Sequence, residues 1–137
     1  MDPINIEIVI LEPLEKVWNY MHDPKHITKW NFIQDNWYCP RASNDFRVGG
    51  RFEARMEAKN HSFGYDIVGV YDEIIPHQFV QYTLFDGRKV EVYFNKIDDN
   101  TTQVRQIFDL EFRNSREMQR NTWYNILNNF HKYVENN

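Results

Sequence analysis

Between residues 51 and 112, stretches that alternate in polarity follow one another with only short connections between them. In RFEARMEAK the apolar residues share one parity and the charged residues the other, as in a strand with one buried face. Asp86-Gly87 is a strong hairpin signal. Connections this short cannot form a parallel crossover, so an antiparallel meander is predicted. Its later strands are YDIVGVYDEII, FVQYTLF, RKVEVYFNKI and TTQVRQIFDLEF.

Helical segments lie on both sides of this meander. Ile4 to Ile10 alternates like a first strand, LEKVWNYM then shows helical spacing, and DPKHITKW predicts a second short helix with Asp23 as its N-cap. A long amphipathic helix is predicted from about Ser115, its candidate N-cap, to about Glu135. Helices segregated to one face of an antiparallel sheet indicate the α+β class.

Length and charge narrow the functional classes. A chain of 137 residues without a linker predicts a single domain over residues 1–137. The formal charge of -4 argues against a nucleic-acid partner, which requires a basic surface. The longest apolar run, Ile8 to Leu11, is too short to span a membrane, and the N-terminus lacks the pattern of a secretory signal. These features predict a soluble, cytoplasmic protein.

Four segments carry a resemblance to a known family. They are VWNYMHDPKHITKW, VGGRFEARMEA, GVYDEIIPHQFVQYT and WYNILNNFHKYVE. Together they resemble the SRPBCC (START-like) superfamily and, more narrowly, homologues of the activator of the heat-shock-protein-90 ATPase, over nearly the whole chain. The resemblance implies the helix-grip fold, in which a curved antiparallel sheet wraps around a long C-terminal helix, often around a cavity. It does not imply a reaction.

Within that fold, the aromatic stretch HITKWNFIQDNWYCPRA is predicted to run from the end of the second helix into a loop near one end of the cavity. Its rings close or line that end, or they plug the core where helix and sheet meet. Gln106 shares its strand face with apolar residues, as a polar group in a pocket would. The predicted ligand-binding wall comprises Trp18, Trp30, Phe32, Trp37, Phe52, Met56, Tyr71, Tyr82, Phe94, Trp123, Leu127 and Phe130.

Motifs for catalysis, metal binding and phosphate binding are missing from the sequence. His22 and His26 are four residues apart, but Asp23-Pro24 starts a new helix between them, so a shared metal is not predicted. Cys39 has no neighbouring base in sequence that would activate a thiolate. No catalytic residue, metal or cofactor is therefore predicted. Solvated positions are expected for His61, His77 and His131.

Three hypotheses follow from these observations. The first is a small protein that binds a hydrophobic or aromatic molecule, such as a lipid-like metabolite, between sheet and C-terminal helix. The second is a protein-interaction module with a chaperone partner, as the family resemblance implies. The third is an enzyme of the cyclase or aromatase type, which requires an ionisable group facing the cavity. The oligomeric state stays open.

Overall fold

The computed structural model describes residues 2–33 and 35–137. Within these residues, three helices and seven strands, one strand more than predicted, follow one another in an α+β arrangement. The helices are α1 (Leu14–His22), α2 (Pro24–Trp30) and α3 (Arg116–Asn136). The strands are β1 (Ile4–Ile10), β2 (Trp37–Asn44), β3 (Arg51–Ala58), β4 (Gly64–Ile75), β5 (Phe79–Leu84), β6 (Lys89–Asp98) and β7 (Thr101–Phe108).

All strands belong to one antiparallel sheet with the order β1-β7-β6-β5-β4-β3-β2. The first strand lies beside the last, and every other strand pairs with its neighbour in sequence. The sheet curls into a half-barrel, and the long C-terminal helix follows it, which confirms the helix-grip fold. The hairpin at Asp86-Gly87 joins β5 to β6, with Gly87 at a φ of 93° that favours glycine.

Strand β2 is the one element for which the sequence-based prediction was wrong. Residues 37 to 42 were assigned to a loop, yet Trp37–Asn44 pairs with β3 as the edge strand of the sheet. Proline has no N–H to donate, and Pro40 is tolerated here because the register shifts between Tyr38 and Arg41. This irregularity removes the regular alternation from which the other strands were recognised.

The helix starts follow the predicted capping chemistry. The Asp23 side chain accepts a hydrogen bond from the Lys25 amide at 3.1 Å, and Pro24 occupies the first position of α2. The Ser115 hydroxyl oxygen accepts one from the Met118 amide at 3.1 Å and caps α3. These caps fix where α2 and α3 begin, and therefore which of their side chains face the sheet.

The concave face of the sheet has two unlike parts. In the packed half, α3 lies over β1 and β7, and the helix residues Leu127, Phe130 and Val134 are 2%, 0% and 0% exposed. They contact the alternating isoleucines of β1, whose inner face is buried throughout. The hollow half is formed by β3, β4 and β5. It carries a smaller cluster around Met56 and Cys39, and it encloses a cavity.

Candidate ligand cavity

A cavity of about 430 Å³ lies on the concave side of the sheet, within the range of about 300–1,000 Å³ typical of small-molecule sites. Strands β3, β4 and β5 supply the largest share of its wall, and the three helices, strands β2, β6 and β7 and the neighbouring loops supply the rest. Most of its lining is aliphatic or aromatic. The aliphatic contributors include Met21, Ile27, Ala54, Ile67, Val80, Leu84, Val92 and Ile126.

The residues predicted to form the wall are divided between this cavity and the core. Those that line the cavity are Trp30, Phe52, Tyr71, Tyr82 and Trp123. The others pack around it without forming its described lining: Trp18, Phe32, Trp37, Met56, Phe94, Leu127 and Phe130. Ligand binding by the first group stays a prediction, because lining a cavity does not by itself show that a residue binds a ligand.

Each part of the second group has its own packing role. The Trp18 and Phe94 rings meet edge to face with centroids 4.9 Å apart. Leu127 and Phe130 hold α3 against the packed half. The remaining members, Phe32, Trp37 and Met56, belong to the small cluster with Cys39. The aromatic stretch after α2 is thus divided: Trp30 reaches the cavity, whereas Phe32 and Trp37 fill the core beside it.

The aromatic wall of the cavity depends on a glycine. Phe52 is paired across the sheet with Gly69, and a Cβ atom at Gly69 would collide with the Phe52 ring. With that space open, the Phe52 ring lies 4.9 Å from the Tyr82 ring and 5.4 Å from the Tyr71 ring, measured between centroids. The three rings therefore form one continuous wall on β3, β4 and β5.

Two tryptophans connect the cavity to the packed half. Trp123 on α3 stacks on Phe108 of β7, with centroids 3.9 Å apart and an interplanar angle of 11°. Trp30 on α2 meets Phe130 edge to face at 4.8 Å, and its Nε1 donates to the Tyr20 carbonyl at 3.1 Å. Because both rings are fixed by buried partners, this side of the cavity is held in shape.

The last residue of α1, His22, also lines the cavity. Its Nδ1 lies 2.8 Å from the Trp18 carbonyl oxygen, which can only accept, so Nδ1 carries the proton. The ring stacks on Phe46 with centroids 4.2 Å apart. Burial lowers the pKa of His22 to about 3, against the opposing effect of the hydrogen bond to Trp18. The imidazole is therefore neutral at neutral pH, with an unprotonated Nε2.

The cavity contains further polar groups that differ in how they are satisfied. The Tyr71 hydroxyl donates to Asn44 Oδ1 at 2.8 Å, and Asn44 Nδ2 donates to the His22 carbonyl at 2.7 Å. The Tyr82 hydroxyl and the Gln106 amide have no hydrogen-bond partner among residues 2–33 and 35–137. Burial raises the pKa of Tyr82, so its hydroxyl stays protonated and able to donate.

Charged residues contact the cavity with side chains that remain accessible to solvent. Arg88 Nε lies 2.8 Å from Asp86 Oδ2, so this cation already has an ionic partner. Glu53 and Asp66 keep side-chain exposures of 40% and 39%. The charged part of the lining thus has three carboxylates and one guanidinium. Each of these carboxylates has an arginine partner, Arg51 for Glu53 at 3.5 Å and Arg55 for Asp66 at 3.5 Å, so no unpaired charge of the described lining awaits a charged ligand.

Several lining residues were absent from the predicted wall, including the aliphatic Ile67 and Val80 and the polar His22. His22 follows Trp18 by one helical turn and so continues the apolar stripe of α1, which was a usable signal. In the sequence, His22 was considered only together with His26, as a metal-binding pair that Asp23-Pro24 interrupts. His26 is directed away from this site, since its Nδ1 lies 2.7 Å from the Tyr133 hydroxyl.

Other chemical centres are weaker. Cys39 is buried, and desolvation raises the pKa of its thiol to about 11, which opposes a nucleophilic role. In the described part of the chain, no cluster of three or more His, Cys, Asp or Glu residues could hold a metal ion.

Of the histidines expected to be solvated, His61 and His77 are exposed, whereas His131 is partly buried and lies 2.8 Å from Glu135. No helix of the described residues is both long and apolar enough to cross a membrane.

Comparison with known proteins identifies the family to which this chain belongs. The family model described as Activator of Hsp90 ATPase homolog 1-like protein matches residues 12–135. The chain belongs to this family. Its members fall within the SRPBCC superfamily, which confirms the resemblance seen in the sequence. Among curated proteins, none matches this chain.

Solved structures of three other proteins share the fold over at least 92% of their length. An AHSA1-like protein from Aeromonas hydrophila is 33% identical, with a TM-score of 0.89 and coverage of 97% of this chain and 93% of that one. A protein from Cytophaga hutchinsonii is 41% identical, with a TM-score of 0.84 and coverage of 98% and 92%. The Aha1 dimer from Colwellia psychrerythraea, 18% identical with a TM-score of 0.75 and coverage of 98% and 95%, shares the fold alone.

Proposed function

We propose that this protein binds a small, mostly apolar or aromatic molecule in the cavity of its hollow half, and that it does so in the cytoplasm. The observation that carries the proposal is a cavity of about 430 Å³ whose wall is built from aromatic and aliphatic side chains. A few polar groups among such walls orient a ligand, while the apolar surface supplies most of the affinity.

The state of His22 favours binding over catalysis. A cyclase or aromatase requires a general acid or base whose pKa lies near the working pH. The pKa of His22, at about 3, is several units below that range, so its imidazole is a weak base. Tyr82 and Tyr71 have pKa values raised by burial and are therefore poor proton donors at neutral pH.

The chaperone hypothesis has a different basis. It rests on the name of the family that this chain belongs to, whereas the cavity is a feature of the chain itself. A protein-interaction role would use the outer surface and would be independent of the cavity. Blocking the cavity therefore separates the two proposals.

The test uses two neighbouring residues of β4 whose side chains are on opposite faces of the sheet. Ile67 lines the cavity, and Val68 lies next to it on the convex face. Ile67→Trp fills the cavity, and Val68→Trp is the matched control. The probe is the neutral fluorophore N-phenyl-1-naphthylamine, whose emission rises when it enters an apolar site.

We expect saturable binding to the wild type, a loss of at least about tenfold in affinity for Ile67→Trp, and little change for Val68→Trp, since one methylene-sized misfit already changes affinity by about tenfold or more. Native mass spectrometry of freshly purified protein provides an independent measurement. Absence of both probe binding and any co-purified molecule would refute the binding function. Equal weakening by the two variants would place the site outside the cavity.

A further inference from the structure

The most informative group in the cavity is the second nitrogen of His22. Building on the binding function proposed above, we propose that the ligand is a neutral, mostly apolar molecule with a hydroxyl or N–H group, which donates a hydrogen bond to Nε2 of His22. The ligand class is thus a phenol, an alcohol or a neutral N–H compound rather than a hydrocarbon or a fatty acid.

The direction of this hydrogen bond follows from the tautomer. A backbone carbonyl cannot donate, so the contact of 2.8 Å between Nδ1 and the Trp18 oxygen places the ring proton on Nδ1. The rest of α1 and the Phe46 stack hold the ring in that orientation. Nε2 consequently presents a lone pair, and only a hydrogen-bond donor satisfies it.

The position of Nε2 follows from the hydrogen-bond inventory. Among the described residues, no fully buried side-chain nitrogen or oxygen lacks a partner. His22 makes one side-chain hydrogen bond within that set, through Nδ1, so Nε2 must keep accessible surface. The ring is surrounded by Trp18, Phe46 and Phe94 and lines the cavity. The accessible surface of Nε2 therefore faces the cavity, where a ligand would reach it.

Two further polar groups and the charge of the lining refine the ligand class. Gln106 lies in the row between Ile6 and Val92, and the Tyr82 hydroxyl also lacks a partner among residues 2–33 and 35–137. Both can donate or accept, so they tolerate a second polar group on the ligand. The charged groups at the cavity edge are already paired with one another or with neighbouring arginines, so a ligand carboxylate would enter an apolar cavity without a free cation of the described lining to pair with. A neutral ligand avoids the cost of burying an unpaired charge.

The test measures a ratio of affinities, which removes the difference in water solubility between ligands. The probes are 2-naphthol, which carries the donor, and 2-methylnaphthalene, which has a methyl group in its place. For each protein we take the dissociation constant of 2-methylnaphthalene divided by that of 2-naphthol. We expect this ratio to fall about five- to tenfold in His22→Phe relative to wild type, the effect of one neutral hydrogen bond.

A second measurement does not depend on whether His22→Phe folds. In the wild type labelled with ¹⁵N at histidine, 2-naphthol should shift the Nε2 resonance of His22, and 2-methylnaphthalene should leave it in place. An unchanged affinity ratio, together with an unmoved Nε2 resonance on saturation with 2-naphthol, would overturn this inference and leave the binding function standing. If the wild type bound none of 2-naphthol, 2-methylnaphthalene and N-phenyl-1-naphthylamine, both this inference and the binding function would be overturned.

Discussion

The packed half and the hollow half belong to one sheet, yet only one of them is filled. Over β1 and the neighbouring part of β7, side chains of α3 pack against the sheet, and Phe130 and Val134 have no exposed surface. Over β3 and β4, the inner face carries the small residues Ala54 and Gly69, with large rings standing around them. The difference shows that the curvature of the sheet creates the space, and that residue size decides whether the protein fills it.

The two halves also differ in how their polar groups are treated. In the packed half, the buried Thr102 hydroxyl donates to the Glu12 carbonyl at 2.8 Å, and buried Gln119 bonds with Glu111 and Asn114. In the hollow half, the His22 and Tyr82 side chains retain unsatisfied capacity. Because no fully buried side-chain nitrogen or oxygen of the described residues lacks a partner, these groups keep accessible surface, where a ligand or water can satisfy them.

The largest test of this contrast uses adjacent residues of α3. Leu127 is 2% exposed in the packed half, whereas Ile126 borders the cavity. Leu127→Ala should lower the free energy of unfolding by about 2–5 kcal/mol, because it opens a new void in a filled core. Ile126→Ala only enlarges an existing space and should cost about 1 kcal/mol. Urea denaturation measures both. Similar losses for the two variants would mean that α3 packs equally tightly on both sides.

The next test concerns pH. The pKa of His22 is about 3 in the folded protein and 6.5 in an unfolded chain, so below pH 6.5 the unfolded state binds a proton that the folded state refuses. Stability is complete above that pH and falls by about 1.4 kcal/mol per unit below it, about 2–3 kcal/mol by pH 4.5. His26, whose pKa is also lowered by burial, contributes with the same sign.

His22→Phe isolates the contribution of His22 to this pH dependence. The variant keeps His26, and carboxylates with lowered pKa values, such as Glu111 and Glu135, titrate mainly below this window. Unfolding measured by denaturant between pH 7 and pH 4.5 should therefore be less pH-dependent in the variant by about 2–3 kcal/mol in total. A variant with the same slope as wild type would show that water reaches His22 and that the hollow half is wet.

Much of this contrast could be predicted from sequence, because local patterns reflect local causes. The alternation in β3 and the caps at Asp23 and Ser115 act over a few residues, and each prediction was confirmed. Strand β2 was missed because Pro40 and a register shift remove its alternation. The unbroken apolar stripe of α3 did not distinguish Leu127, which packs, from its neighbour Ile126, which lines the cavity.

The candidate site was harder to predict than the fold for a physical reason. A cavity is space left over after packing, and it depends on how distant residues meet across the sheet. Gly69 matters only because it faces Phe52, and His22 matters only because Trp18 fixes its tautomer. Sequence patterns placed rings such as Tyr82 on the concave face of the sheet. They did not show whether such a ring packs against another side chain or borders the cavity.

The smallest test adds one methylene group to each half. Val104 has no exposed surface and lies between Ile8 and Phe94, whereas Val80 is equally buried but borders the cavity. Val104→Ile overpacks a filled region and should cost about 1–3 kcal/mol. Val80→Ile places its extra carbon in empty space and should change stability by about 0.5 kcal/mol or less, or raise it.

The two valine variants can be compared directly by thermal and urea denaturation, since the substitution and the strand environment are the same. Affinity for N-phenyl-1-naphthylamine gives a second readout, which should weaken for Val80→Ile alone because only that carbon occupies ligand space. If Val80→Ile destabilised the fold as much as Val104→Ile, the rings of Phe52, Tyr71 and Tyr82 would have to close over the cavity in solution. The hollow half would then be a second packed core, and its residual polar groups would need another explanation.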